Sequence, residues 1–102
     1  MVSKTTLRIL WLKKALDNLD KEAEFIALEN PQAARVVVAK ILASVRQLSL
    51  NPALGKPGRI TGTRELIVAD LRYIIPCRVK TKEARIEILH VFHSSRKLPE
   101  RW

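Results

Sequence analysis

A two-layer α+β domain, with a helical hairpin packed on one face of a small, mainly antiparallel sheet, is predicted by three features of the sequence. Apolar residues alternate near the start, step at helical spacing through the middle, and alternate again in three runs after Pro52. Each helical segment carries a single apolar stripe, so each needs a cover, and one apolar sheet face supplies it. The chain has 102 residues, 47% hydrophobic and 28% charged, which fits one domain spanning 1–102 with a modest core.

The elements follow in order. Thr6-Leu7-Arg8-Ile9-Leu10-Trp11 is β-prone, with Leu7, Ile9 and Trp11 on one side, and reads as an opening strand whose partner must come from elsewhere. From Leu12 the period changes: Leu12, Leu16, Leu19, Ala23 and Ile26 form the seam of an amphipathic helix with charged outer faces. Asn30-Pro31 then supplies an N-cap followed by a proline whose missing N–H does no harm at the first helical position. The second helix carries Ala34, Val37, Val38, Ile41, Leu42, Val45 and Leu48 until Asn51-Pro52 stops it. So short a turn between them predicts an antiparallel hairpin. Residues 51–59 are a proline- and glycine-punctuated connector, and the runs 64–68, 73–79 and 85–92 read as a meander of strands. Pro76 fits only an edge or a bulge, since it lacks a ladder donor. In the last run Ile86, Ile88, His90 and Phe92 share one side and Glu87, Leu89, Val91 and His93 the other. The first set is the more apolar and is the expected core face, which leaves His93 on the open face.

Composition then narrows the chemistry. Lys and Arg number 19 against 10 Asp and Glu, a formal charge of +9, with most of the excess after Asn51 and largely as arginine. A polyanionic or acidic partner is expected, because arginine forks match phosphate and carboxylate geometry. No apolar run is long enough to span a membrane, and the first residues lack a signal-peptide pattern, so a cytoplasmic protein is expected. One cysteine, Cys77, cannot make an internal disulfide, and with only His90 and His93 beside it there is no metal-ligand spacing. Neither GxGxxG nor a Walker loop is present, so no cofactor is expected.

The order of elements and several motifs resemble the RelE/ParE superfamily of bacterial toxins from type II toxin–antitoxin modules. The motifs are Asn30-Pro31-Gln32-Ala33-Ala34, the connector Asn51 to Arg59, Gly62-Thr63-Arg64-Glu65-Leu66, Tyr73 to Val79, and Val91-Phe92-His93-Ser94-Ser95-Arg96. The resemblance covers nearly the whole chain. It implies growth inhibition by the free toxin and neutralisation by a cognate antitoxin in a hetero-oligomer. It implies one of two targets: DNA gyrase, bound without catalysis, in the ParE-like branch, or the ribosome and its mRNA, cleaved by a metal-free endonuclease, in the RelE-like branch. In the nuclease case the resemblance places His93 as acid/base, with Arg72, Arg78 and Arg96 as phosphate and transition-state contacts. A histidine and two or three arginines are chemically sufficient for that reaction. In either case Arg59, Arg64 and Arg96 are candidate contacts to nucleic acid or target. The stretch from Gly62 to Arg96 is closer to the ParE-like branch, no acidic residue stands in the Gly58 region where some nuclease members carry a glutamate, and Cys77 replaces a common aromatic. The ordinary alternatives are a strand-end cap for His93, a satisfied structural role for His90, solvated edge charges for Arg64 and Glu65, packing for Tyr73, a lid role for Trp102 and an inert buried thiol for Cys77.

Overall fold

The computed structural model of the protein describes residues 6–95. It contains strand β1 (Arg8–Trp11), helices α1 (Lys13–Ala27) and α2 (Pro31–Gln47), and strands β2 (Lys56–Pro57), β3 (Arg64–Val68), β4 (Tyr73–Lys80), β5 (Arg85–Ile88) and β6 (Phe92–His93). Both helices pack on one face of a sheet ordered β1-β5-β4-β3-β2, with β6 also on β4. The pairing is antiparallel except for β1, which runs parallel to β5, so the opening strand finds its partner at the far end of the chain.

The helix starts obey local chemistry. Asn30 caps α2, its Oδ1 accepting the Ala33 N–H at 3.0 Å, and Pro31 opens the first turn. The stripe of α2 is as expected, with Ala34, Ile41, Val45 and Leu48 buried. That of α1 is rotated from the expected seam. Ala15 and Leu19 are buried, whereas Leu16 is 45% exposed. Ala15 carries only a methyl group, so α1 settles close to the sheet on that side and turns Leu16 outward.

The core joins Ala15, Leu19, Ile41, Val45 and Leu48 from the helices to Leu66, Val68, Tyr73, Ile75, Cys77, Ile86 and Ile88 from the strands. The odd-numbered positions of β4 therefore face the helices, and Pro76, Arg78 and Lys80 face the opposite side, on which Pro76 is itself buried. Between β4 and its neighbour the ladder slips. Cys77 faces Ile88, but Ile74 faces Phe92, so β4 uses two residues where the partner uses three. The last run is thus two short strands separated by a bulge rather than one strand over 85–92. Pro76 sits opposite this bulge: its carbonyl accepts the Leu89 N–H at 2.9 Å, and its own missing donor points to the same side.

Helix α1 closes the gap. Asn18 Oδ1 accepts the Val91 N–H at 3.1 Å and lies 3.2 Å from His90 Nδ1. The extra residue inverts the side-chain alternation beyond it. Val91 joins the core, and His93 lies opposite Tyr73 on the helix-facing side. The expectation that His93 occupies the open face is therefore corrected, and so are the core placements of His90, which is half-buried at the bulge, and of Phe92, which pairs with Ile74 on the other side. A period of two cannot be extended through an inserted residue.

Asn18→Ala leaves the buried Val91 N–H without a partner and should lower the unfolding free energy in a urea titration by about 1–3 kcal/mol. Leu16→Ala, on the exposed side of the same helix, should stay within about 1 kcal/mol of the parent.

Candidate functional site

The bulge gathers residues at one end of the sheet. The turn between β3 and β4 is a short 3-10 helix, Ala69–Leu71, ended by Arg72 in the left-handed conformation at φ 63°. Its carbonyl accepts the Ser94 N–H at 2.7 Å, tying this turn to the end of β6. His93 stands edge-on to Tyr73, the ring centres 5.1 Å apart. The Tyr73 hydroxyl donates to Glu22 on α1 at 2.9 Å, so the tyrosine is anchored to the helix layer. The Ser95 N–H donates to His93 Nδ1 at 3.3 Å, and the Ser95 hydroxyl lies 2.6 Å from the same nitrogen. With Nδ1 accepting, the neutral ring carries its proton on Nε2 and presents a donor there. Arg72 and His93 are thus brought together by the sheet's own pairing, with Arg72 exposed.

The other candidate cations lie elsewhere. Arg78 is five residues beyond Tyr73 on β4, about 16 Å away at strand spacing, and on the opposite face. Its guanidinium is 3.4 Å from Glu87, which also receives Arg85 at 2.9 Å. Arg59 clasps Glu65 through its backbone N–H at 2.9 Å and its Nε at 3.1 Å. Arg64 turns back on the connector, its Nε donating to the Gly55 carbonyl at 2.8 Å and its Nη2 to the same oxygen. Arg96 lies outside the described residues, as does Trp102. The structure therefore does not assemble His93, Arg72 and Arg78 into one cluster, nor, among the described residues, does it leave a sheet face of unpaired guanidinium groups.

Two carboxylates explain this distribution, and sequence reasoning missed both. Glu65 is 2% exposed and Glu87 8%. Burial alone would raise the Glu65 carboxyl, but the bonds and charge of Arg59 outweigh it and hold the group below its ordinary value. The Glu87 signal was present as an acid between Ile86 and Ile88 with Arg85 two positions earlier; the Glu65 signal was its place in the alternating run 64–68. His90 is a structural residue as expected: burial, and then the charge of Lys14, hold its pKa below the usual value, and its ring stacks on Phe92 at 4.9 Å. Cys77 is fully buried, its thiol pushed up to about 11 by desolvation against a smaller opposing effect of Arg64. Among the described residues there is no group of acids, histidines or cysteines able to hold a metal.

The family model for the ParE toxin of the type II toxin–antitoxin system parDE matches residues 9–98. The chain belongs to the ParE toxin family. A curated relative named "Putative toxin Y4kP", from Sinorhizobium fredii, is 44% identical over 93 residues, covering 91% of this chain and 94% of the relative. Among solved structures, the chromosomal ParDE toxin–antitoxin system from P. aeruginosa superposes with a TM-score of 0.77 at 27% identity, over 87% of this chain and 97% of that one. The toxin–antitoxin complex RelBE2 from Mycobacterium tuberculosis gives 0.67 at 21% identity, over 89% of this chain and 94% of that one, a likeness of fold. The α+β architecture expected from the sequence is the one these structures share.

For this ParE-family chain, two outcomes follow. Arg59→Ala strips a buried carboxylate of its guanidinium and should cost about 1–3 kcal/mol in denaturant titrations. Because the folded Glu65 value is depressed, its contribution is complete above the unfolded value of 4.5 and is lost as pH falls through the lower folded value. Glu65→Gln should accordingly flatten the acid limb of a stability–pH profile below 4.5.

Proposed function

We propose that this chain acts as the toxin of a type II module by binding DNA gyrase without catalysis, and that a cognate antitoxin neutralises it. The observation that carries this reading is the state of His93. A general base for attack by a ribose hydroxyl needs a bare ring nitrogen facing the substrate and cations around the scissile phosphate. Here Ser95 occupies Nδ1, which leaves Nε2 as a donor, and Arg78 is remote on the other face. A hydrogen-bond donor beside the exposed Arg72 suits contact with a target surface better than proton abstraction. The ParE family match and the ParDE fold neighbour support the same choice.

Arg72 offers a clean probe because its backbone is left-handed. Glycine adopts that conformation freely, and the strain it relieves, about 1 kcal/mol, is close to the entropy it adds to the unfolded chain. Arg72→Gly should keep the parent stability within about 1 kcal/mol, exceed Arg72→Ala by about that amount, and lose inhibition of gyrase supercoiling.

His93→Ala, expressed without antitoxin, should retain most of its growth inhibition and its effect on supercoiling by purified gyrase. The contrary result is site-specific cleavage of translated mRNA by the parent, reduced about 10²–10⁴-fold in His93→Ala with gyrase unaffected.

A further inference from the structure

Three cations stand side by side across the sheet, at the end remote from His93. Arg8 of β1 is the register partner of Arg85 on β5, and Arg85 is in turn the partner of Lys80 on β4. The next row, Ile9, Ile86 and Val79, packs on the core, so the three cations point to the side away from the helices. Adjacent strands lie about 4.8 Å apart, which gives the row a span of about 10 Å. Lys80 is seven residues beyond Tyr73 on β4, about 23 Å at strand spacing, so the row is separate from the cluster of Arg72 and His93.

The backbone fixes this alignment. The Arg8 N–H donates to the Ala84 carbonyl at 2.9 Å, and the turn from β4 to β5 is closed by the Glu83 and Ala84 N–H groups, which donate to the Lys80 and Thr81 carbonyls at 3.2 and 3.0 Å. The three charges are therefore held opposite one another, an arrangement that is unfavourable without an anion. Compensation within the chain is incomplete. Glu87, in the neighbouring row, lies 2.9 Å from Arg85 and 3.4 Å from Arg78, so one carboxylate answers two guanidinium groups. Arg8 is exposed and Lys80 half-buried, and neither has an ion-pair partner among the described residues. Lys82 and Glu83 in the turn offset each other. Beside the row, Arg8, Ile9, Leu10 and Arg85 line a hollow of about 110 Å³.

We propose that this cation row binds the phosphate backbone of duplex DNA without regard to base sequence. Duplex DNA carries one charge per about 1.7 Å of its axis, so a row about 10 Å long meets several phosphates wherever it lands. The adjoining row is Leu10, Glu87 and Arg78, and none of the six residues in the two rows is aromatic. A splayed single strand would find no ring there on which to stack its bases. Leu10 alone is apolar, too little to anchor an acidic peptide, whose affinity rests on buried side chains. This contact goes beyond the gyrase reading and does not depend on it.

The test is fluorescence anisotropy of a labelled 20-base-pair duplex of mixed sequence, titrated with the full chain across a series of salt concentrations. Three phosphate contacts predict a slope of about −3 for the logarithm of the binding constant against that of salt. Arg8→Ala and Lys80→Ala should each bring that slope about one closer to zero and weaken binding about five- to tenfold at about 100 mM salt. Arg35→Ala removes the same charge from an exposed position on α2 and should leave both quantities within about twofold of the parent. All three variants should keep the parent's dispersed ¹⁵N spectrum. Equal losses in all three would reduce the effect to net charge and overturn the proposal, as would a parent that does not bind the duplex. A ten-residue glutamate peptide that binds as tightly, with the same loss in Lys80→Ala, would give the row to an acidic protein segment and overturn the assignment to DNA. A single strand of the same sequence binding more tightly than the duplex would overturn it too. Supercoiling by purified gyrase keeps the two readings apart: inhibition by a parent that does not bind the duplex sinks the DNA surface alone, and duplex binding through the row without inhibition sinks the gyrase reading alone.

Discussion

The geometry of the sheet end depends on one inserted residue. Three residues of the last run stand against two of β4, and Pro76 lies where the missing rung would have been. An empty bulge would leave the Val91 N–H buried and unpaired, at a cost comparable to a large fraction of a small domain's stability. Asn18 meets that need from α1, so the helix layer and the sheet are locked at the point where the alternation inverts. Everything beyond inherits the inversion: Val91 enters the core, and His93 stands beside Tyr73 and Arg72.

Charge follows a comparable logic. A chain of +9 could have carried an uninterrupted cationic face. Instead, the buried carboxylates Glu65 and Glu87 recruit Arg59, Arg78 and Arg85, since a buried acid is tolerable only when its charge is matched. Arg64 is held by a carbonyl of the connector. Of the sheet arginines outside these pairs, Arg72 lies exposed at one end and Arg8 at the outer edge, while Arg35 and Arg46 lie exposed on α2.

Most of the architecture was legible in the sequence because it rests on local rules. The cap at Asn30, the stops at Asn51-Pro52 and the limits of the 64–68 strand are set by residues within a few positions of where they act. The rotation of α1 was not legible: Leu16 and Ala15 differ by one step, and the choice between them lies in how closely the helix can approach a sheet formed later in the chain. The site was legible in part. Arg72 and His93 were identified as candidates, but their company was not, because Pro76 points to an edge or a bulge without saying which, or where on the neighbouring strand. Carboxylate burial at Glu65 and Glu87 was hidden for a related reason, since an acid in a strand looks solvated until the arginines that accompany it are placed in space.

The account turns on the side of the sheet that His93 occupies, and proton–proton contacts in solution report it directly. A ¹³C-edited NOESY spectrum of the full chain should connect the His93 ring to the Tyr73 ring, and the Val91 methyl groups to those of Ile75 or Ile88. Contacts from the His93 ring to the side chain of Ile74, with none to Tyr73, would mean that the alternation continues unbroken through residues 89–91 and would contradict the account.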